Sequence, residues 1–145
     1  MRFFATVFAC LVLLTSPVMA DGGDDLGLTS SDRQTIQGII KSQLDAFKRD
    51  DGVAAFSYAS PTIHKIFQSI DNFMAMVKST YYPVYRSEAV NFGVVLDVGG
   101  EPVQRVHIVG EDGRSMVAAY VMQRQPSGEW KINGVYMFKD DSEAT

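Results

Sequence analysis

Beyond Glu88 the apolar residues of the chain stop recurring every three or four positions and begin to alternate. This change of period constrains the fold more than any other feature. A 3.6-residue period suits a helix with one buried stripe, and a period of two suits a strand with one buried face. Val90, Phe92, Val94, Leu96 and Val98 share one parity, while Ala89, Asn91, Gly93, Val95 and Asp97 share the other. Gly99-Gly100 turns the chain into a second strand carrying Val106 and Ile108, and Asp112-Gly113 turns it again. A third strand is expected from Arg114 to Gln125. Pro126-Ser127-Gly128 then makes a short hairpin loop, and a fourth strand runs from Glu129 to Lys139.

The preceding half reads as helices. Ser31-Asp32-Arg33-Gln34 has the pattern of a capping box and opens a helix with Ile36, Ile39, Ile40, Leu44 and Phe47 on one stripe. Asp50-Asp51-Gly52 ends it and caps a short second helix through Ala54, Ala55, Phe56 and Tyr58. Ser60-Pro61 starts a third, through Ile63, Ile66 and Phe67. Asp71 is expected to cap a fourth, with Phe73, Met76 and Val77 on one face, and Pro83 to close the helical half. Helices segregated before a meander predict an α+β fold: N-terminal helices packed on a curved, cone-like, four-stranded antiparallel sheet.

Parity also predicts the register. Pairing Gln125 with Glu129 puts Arg124 beside Trp130, Met122 beside Ile132, Tyr120 beside Gly134, Ala118 beside Tyr136 and Met116 beside Phe138. The next hairpins set Ile108 against Met116, Val106 against Ala118, Val94 against Val106 and Phe92 against Ile108. The reverse face would then carry Asn91, Asp97, Arg105, His107, Gln123, Lys131 and Asn133. It would also carry a flat apolar group: Val95, Val117, Ala119, Val121, Val135 and Met137. Contiguous apolar patches mark interfaces, so a homodimer through this face is expected.

The N-terminus has a separate logic. Arg2 precedes an apolar run from Phe3 to Leu14, and Pro17 and a small-residue end at Val18 and Ala20 follow. This is the pattern of a secretory signal peptide over residues 1–20, cleaved between Ala20 and Asp21. The run is too short to cross about 30 Å of hydrocarbon as a helix. The protein is therefore expected to be secreted or periplasmic, with no membrane association after cleavage. Cys10, the chain's one cysteine, leaves with the signal, so the mature chain is expected to have no disulfide and no thiolate chemistry. Residues 21–28 are Gly- and Asp-rich and expected to be disordered. Residues 29–139 form the single domain, and 140–145 are an acidic tail. The formal net charge of −4 is concentrated in these ends, which leaves no basic stripe for nucleic acid.

Several stretches carry a resemblance. They are Gln43-Leu44-Asp45-Ala46-Phe47-Lys48-Arg49-Asp50-Asp51, then Ala55-Phe56-Ser57-Tyr58-Ala59-Ser60-Pro61-Thr62-Ile63. Asn72-Phe73-Met74-Ala75-Met76-Val77 follows, with Tyr82-Pro83-Val84-Tyr85-Arg86, and then Gly128-Glu129-Trp130-Lys131-Ile132-Asn133-Gly134. Through them the chain resembles a bacterial family labelled domain of unknown function 4864. More distantly it resembles the nuclear transport factor 2-like cone. The family label implies no activity and no catalytic residues. The wider superfold includes dehydratases, isomerases, epoxide hydrolases and plain binding modules, so fold alone selects no function.

The residues themselves exclude more chemistry than they suggest. His64 and His107 fall on different parts of the fold, so no metal site is expected. No nucleophile elbow, phosphate loop or dinucleotide fingerprint is present, so no cofactor is expected either. The inward positions hold no carboxylate to serve as a general acid or base. The pocket candidates are His64, Tyr58, Tyr120, Arg124, Trp130 and Tyr136. Each has a bland reading beside its functional one: His64 as a satisfied core histidine, the tyrosines and Trp130 as packing, and Arg124 as a cation–π partner of Trp130. The reading favoured is a non-catalytic exported module that binds a small apolar ligand or another protein. The alternative is a small cofactor-independent hydro-lyase or isomerase.

Overall fold

In the computed structural model, which describes residues 26–141, Thr29 opens the first helix, α1 (Ser30–Lys48). The Thr29 hydroxyl accepts from the Asp32 backbone N–H at 3.0 Å, and the Asp32 carboxylate accepts from the Thr29 N–H at 3.0 Å. The capping box therefore lies two residues ahead of the expected Ser31–Gln34. The signal segment, its cleavage point at Ala20 and Asp21, and the end of the acidic tail lie outside the described residues.

Helix α1 buries Ile36, Ile40, Leu44 and Phe47, with Gln43 and Ala46 beside them. Asp51 caps α2 (Gly52–Ser57), and Ser60 caps α3 (Pro61–Phe67) with Pro61 in the first turn, both as expected. Ser69, not Asp71, caps α4 (Ile70–Thr80), accepting from the Asn72 N–H at 3.1 Å. Pro83 does not close the helical half. It sits in the first turn of a one-turn helix, α5 (Tyr82–Tyr85), a position where its missing N–H costs nothing.

Four antiparallel strands follow in the order β1-β2-β3-β4: β1 (Ser87–Val98), β2 (Glu101–Gly110), β3 (Ser115–Arg124) and β4 (Trp130–Lys139). The chain is thus α+β, as the change of period predicts. The helices cover one face of the sheet. There Tyr120, Met122, Val106, Ile108, Ala118, Trp130 and Ile132 meet the α1 stripe together with Phe56, Phe73, Val84 and Tyr85.

The central register is as predicted: Ile108 faces Met116 and Val106 faces Ala118. Next to the turn of the last hairpin, Arg124 faces Trp130 and Met122 faces Ile132. Both edge strands then depart from strict alternation. In β4 the pairing steps from Met122–Ile132 to Val121–Gly134, which leaves Asn133 as a bulge. Two residues now stand against one, and every later side chain changes face. Tyr120 faces Val135 rather than Gly134, Ala118 faces Met137 rather than Tyr136, and Met116 faces Lys139 rather than Phe138. Val135 and Met137, expected on the reverse face, pack against the core. Tyr136 and Phe138 turn outward and are 62% and 57% exposed.

Strand β1 behaves alike. Phe92 faces Val106 instead of Ile108, and the next pair is Val95–Gln104, so Gly93 and Val94 stand against Arg105 alone. Val95 therefore shares the helix-covered face with Gln104, while Leu96 and Val98, expected inside, are exposed. The outer face keeps Val117, Ala119 and Val121 and gains Leu96, Val103, Tyr136 and Phe138 in place of Val95, Val135 and Met137.

Candidate functional site

Where α3 meets β4 the backbone makes a short parallel extension of the sheet. Ser60 N–H donates to the Ile132 carbonyl at 2.8 Å, and Ile132 N–H donates to the Tyr58 carbonyl at 2.9 Å. Ser60, fully buried, works twice. Its hydroxyl donates to the Asn133 side-chain oxygen at 2.7 Å and accepts from the Ile63 N–H at 3.3 Å as the cap of α3. Lys131 adds a bond from its ammonium to the Ser57 carbonyl at 2.7 Å. The β4 bulge is thus the point to which the start of α3 is fastened.

Fastened there, α3 and α4 stand away from the inner end of β4 and enclose a hollow of about 320 Å³. Phe47 of α1, Ile63 and Phe67 of α3, Phe73, Met76 and Val77 of α4, and Ile132 and Val135 of β4 make its apolar wall. Ile66, 63% exposed, and Tyr136 stand at its border, with Tyr81. Two amides, Gln43 and Asn133, interrupt the apolar lining. Gln43 is buried, and its amide nitrogen donates to the Ala55 carbonyl at 3.1 Å, which leaves its oxygen as an acceptor. Asn133 uses its oxygen on Ser60, which leaves its amide nitrogen as a donor. Among the described residues the lining holds no carboxylate, imidazole, ammonium or guanidinium. It can therefore hold an apolar body and satisfy one neutral polar group.

The residues singled out from the sequence are dispersed. Tyr136 borders the hollow, although its register puts it on the outer face of the edge strand. His64 stacks on Phe56 with centroids 3.8 Å apart, and its Nε2 lies 2.6 Å from the Phe56 carbonyl, so the ring tethers α3 to α2. Tyr58, half-buried, packs against the core. Tyr120 is fully buried beside Gln104, and burial alone pushes its phenol well above the usual range. Its hydroxyl and the Gln104 side-chain oxygen have no hydrogen-bond partner among the described residues.

Arg124 does lie over Trp130, 4.6 Å from the ring centroid. Both reach the start of α1: Arg124 pairs with Asp32, and Trp130 Nε1 donates to the same carboxylate at 3.3 Å. Bonds from Thr29, then from Trp130 and Arg124, hold the Asp32 carboxyl below its ordinary value. This cluster pins the first turn of α1 to the β3–β4 hairpin and does not line the hollow.

A second cluster pins the other end of α1. Asp50, in the left-handed region at φ 54°, accepts from the Tyr85 hydroxyl and from Arg86 at 3.0 Å to each oxygen. Arg86 also donates to the Phe47 carbonyl at 2.6 Å and lies 4.0 Å over the Tyr85 ring. The Tyr85 hydroxyl and then the Arg86 guanidinium hold the Asp50 carboxyl low, and Asp50 in turn raises the Tyr85 phenol.

Sequence reasoning missed Gln43 and Asn133. Gln43 had a legible signal, because a polar residue three positions after Ile40 and four before Phe47 lies on the buried stripe. Asn133 had none beyond its glycine neighbour. Among the described residues no group of His, Cys, Asp and Glu could hold a metal ion, and no helix is long and apolar enough to cross a membrane.

Comparison with curated proteins returns no match. A family's sequence model does match, over residues 29–145, and that span contains both α1 clusters, the Ser60–Asn133 junction and the whole sheet. The chain belongs to the family described as a domain of unknown function (DUF4864).

Proposed function

We propose that the protein is an exported, non-catalytic module that binds a small, mainly apolar molecule carrying one neutral polar group. The observation that carries this reading is the hollow of about 320 Å³ whose apolar wall, among the described residues, is broken only by amide groups and tyrosines. A buried amide acceptor on Gln43 and an amide donor on Asn133 match an alcohol or an amide. A carboxylate would meet no cation there. Export rests on the N-terminal sequence pattern. The order of helices followed by a meander supports a relationship to the nuclear transport factor 2-like cone, a fold that suits a ligand held between helices and sheet.

The test is thermal melting with octanol, octanamide and octanoate as probes. At a tenfold excess over its dissociation constant a ligand adds about 1.4 kcal/mol, and a domain of this size gains roughly 4–8 °C per kcal/mol. Octanol and octanamide should raise the melting temperature by several degrees, and octanoate should do less. Met76→Trp, which fills the hollow, should abolish the effect. No shift with any probe, or a shift that survives Met76→Trp, would overturn the reading.

A further inference from the structure

We infer, on the ligand-binding reading of the hollow, that its guest is a fused two-ring aromatic alcohol or amide rather than an alkyl chain. Rings make up much of the wall. Phe47, Phe67, Phe73, Tyr81 and Tyr136 reach it from α1, α3, α4, the junction of α4 with α5, and β4. Three of them are contiguous. The Phe73 centroid lies 6.0 Å from that of Phe47, with the ring planes 35° apart, and 5.7 Å from that of Phe67, with the planes 67° apart.

An aromatic ring is negative on its face and positive at its edge, so rings favour tilted, offset and edge-on contacts with one another. Rings in three different planes cannot all turn the same aspect to the hollow. A flat guest therefore meets edges and faces together. Met76 adds a thioether to the same wall, and sulfur favours the edges of aromatic rings. An alkyl chain draws only dispersion from these groups.

The size points the same way. An apolar cavity of about 150 Å³ holds one benzene ring, and the hollow, at about 320 Å³, has room for two. A fused bicycle brings no rotatable bonds to be frozen, whereas an alkyl chain of comparable bulk loses the freedom of several. One polar substituent completes the match. Gln43 keeps an amide oxygen as acceptor and Asn133 an amide nitrogen as donor, and each can bond a hydroxymethyl or carboxamide group.

Isothermal titration calorimetry with 2-naphthalenemethanol and decahydro-2-naphthalenemethanol tests this. The two carry the same alcohol on bicycles of similar size. The saturated one is the more hydrophobic, so area burial alone ranks it first. Recognition by rings reverses the order, and 2-naphthalenemethanol should bind about tenfold tighter. Phe67→Leu, at a half-buried position, keeps the wall apolar and removes one ring. It should reduce that preference about threefold while changing the affinity for the saturated alcohol by less than about twofold. The wild-type ranking decides the matter if the variant fails to fold. Equal affinities, or tighter binding of the saturated alcohol, overturn the inference and leave the ligand-binding reading standing. So does a preference that Phe67→Leu leaves unchanged. If octanol raises the melting temperature and neither bicycle binds, the hollow selects chains and the inference alone falls. If no probe binds, both readings fall.

Discussion

Asp50 shows how much one residue can be asked to do. It ends α1 in a left-handed conformation that costs most side chains free energy but that Asp and Asn tolerate. Its carboxylate then gathers Tyr85 and Arg86. Because those bonds hold its carboxyl below the ordinary value of 3.8, the unfolded chain binds its proton first as the pH falls. The stabilisation is therefore complete above that value and is lost as pH drops through the lower, folded one. Asp50→Asn keeps the backbone conformation and removes the titration. Comparing urea midpoints at about pH 5 and about pH 3, the variant should lose less stability than the wild type. An identical pH dependence in the two proteins would mean that the carboxylate contributes nothing there. His64 teaches the converse. Its imidazole is the ring a catalytic reading would look to first, yet it is spent on Phe56 and does not line the hollow.

At the scale of elements, the clearest unit is the junction of α3 with β4. Ser60 caps the helix and donates to Asn133 from a fully buried site. Ser60→Ala should cost about 1–2 kcal/mol through the lost cap and the lost bond. Asn133→Ala should cost a similar amount, and the double variant less than their sum, by about 0.5 kcal/mol or more. Additive costs in urea denaturation would show that the two side chains act independently. This junction also marks where the sequence was legible and where it was not. Caps at Asp51 and Ser60, the order of elements and the β2–β3 register follow from residue type and spacing. The bulges at Asn133 and at Gly93-Val94 do not, because parity assigns one residue to each rung and neither site announces that two will share one. The errors that follow are all of one kind: Val95, Val135, Met137, Tyr136 and Phe138 each change face. The hollow was illegible for the same reason, since its polar groups depend on the β4 bulge and on a distant helix packing beside it.

At the scale of the whole molecule, the sheet separates two kinds of surface, one facing helices and hollow and the other facing outward. The stretches that carry the family resemblance lie mostly on the first side. They meet in pairs: Phe47–Asp50 with Tyr85-Arg86, and Ser57–Ser60 with Lys131–Asn133. The placement of the irregularities at the rims has one more consequence. A sheet with exposed valines and aromatics on its open side is a natural seed for fibrils, because another chain can extend it edge to edge. Strand β1 is such an edge, and its bulge at Gly93 and Val94 breaks the run of evenly spaced N–H and C=O groups that an incoming strand would need. At the opposite rim, the segment around Ala59 already occupies part of the β4 edge. The β1 bulge that misled a parity reading thus also blunts an open edge of the sheet.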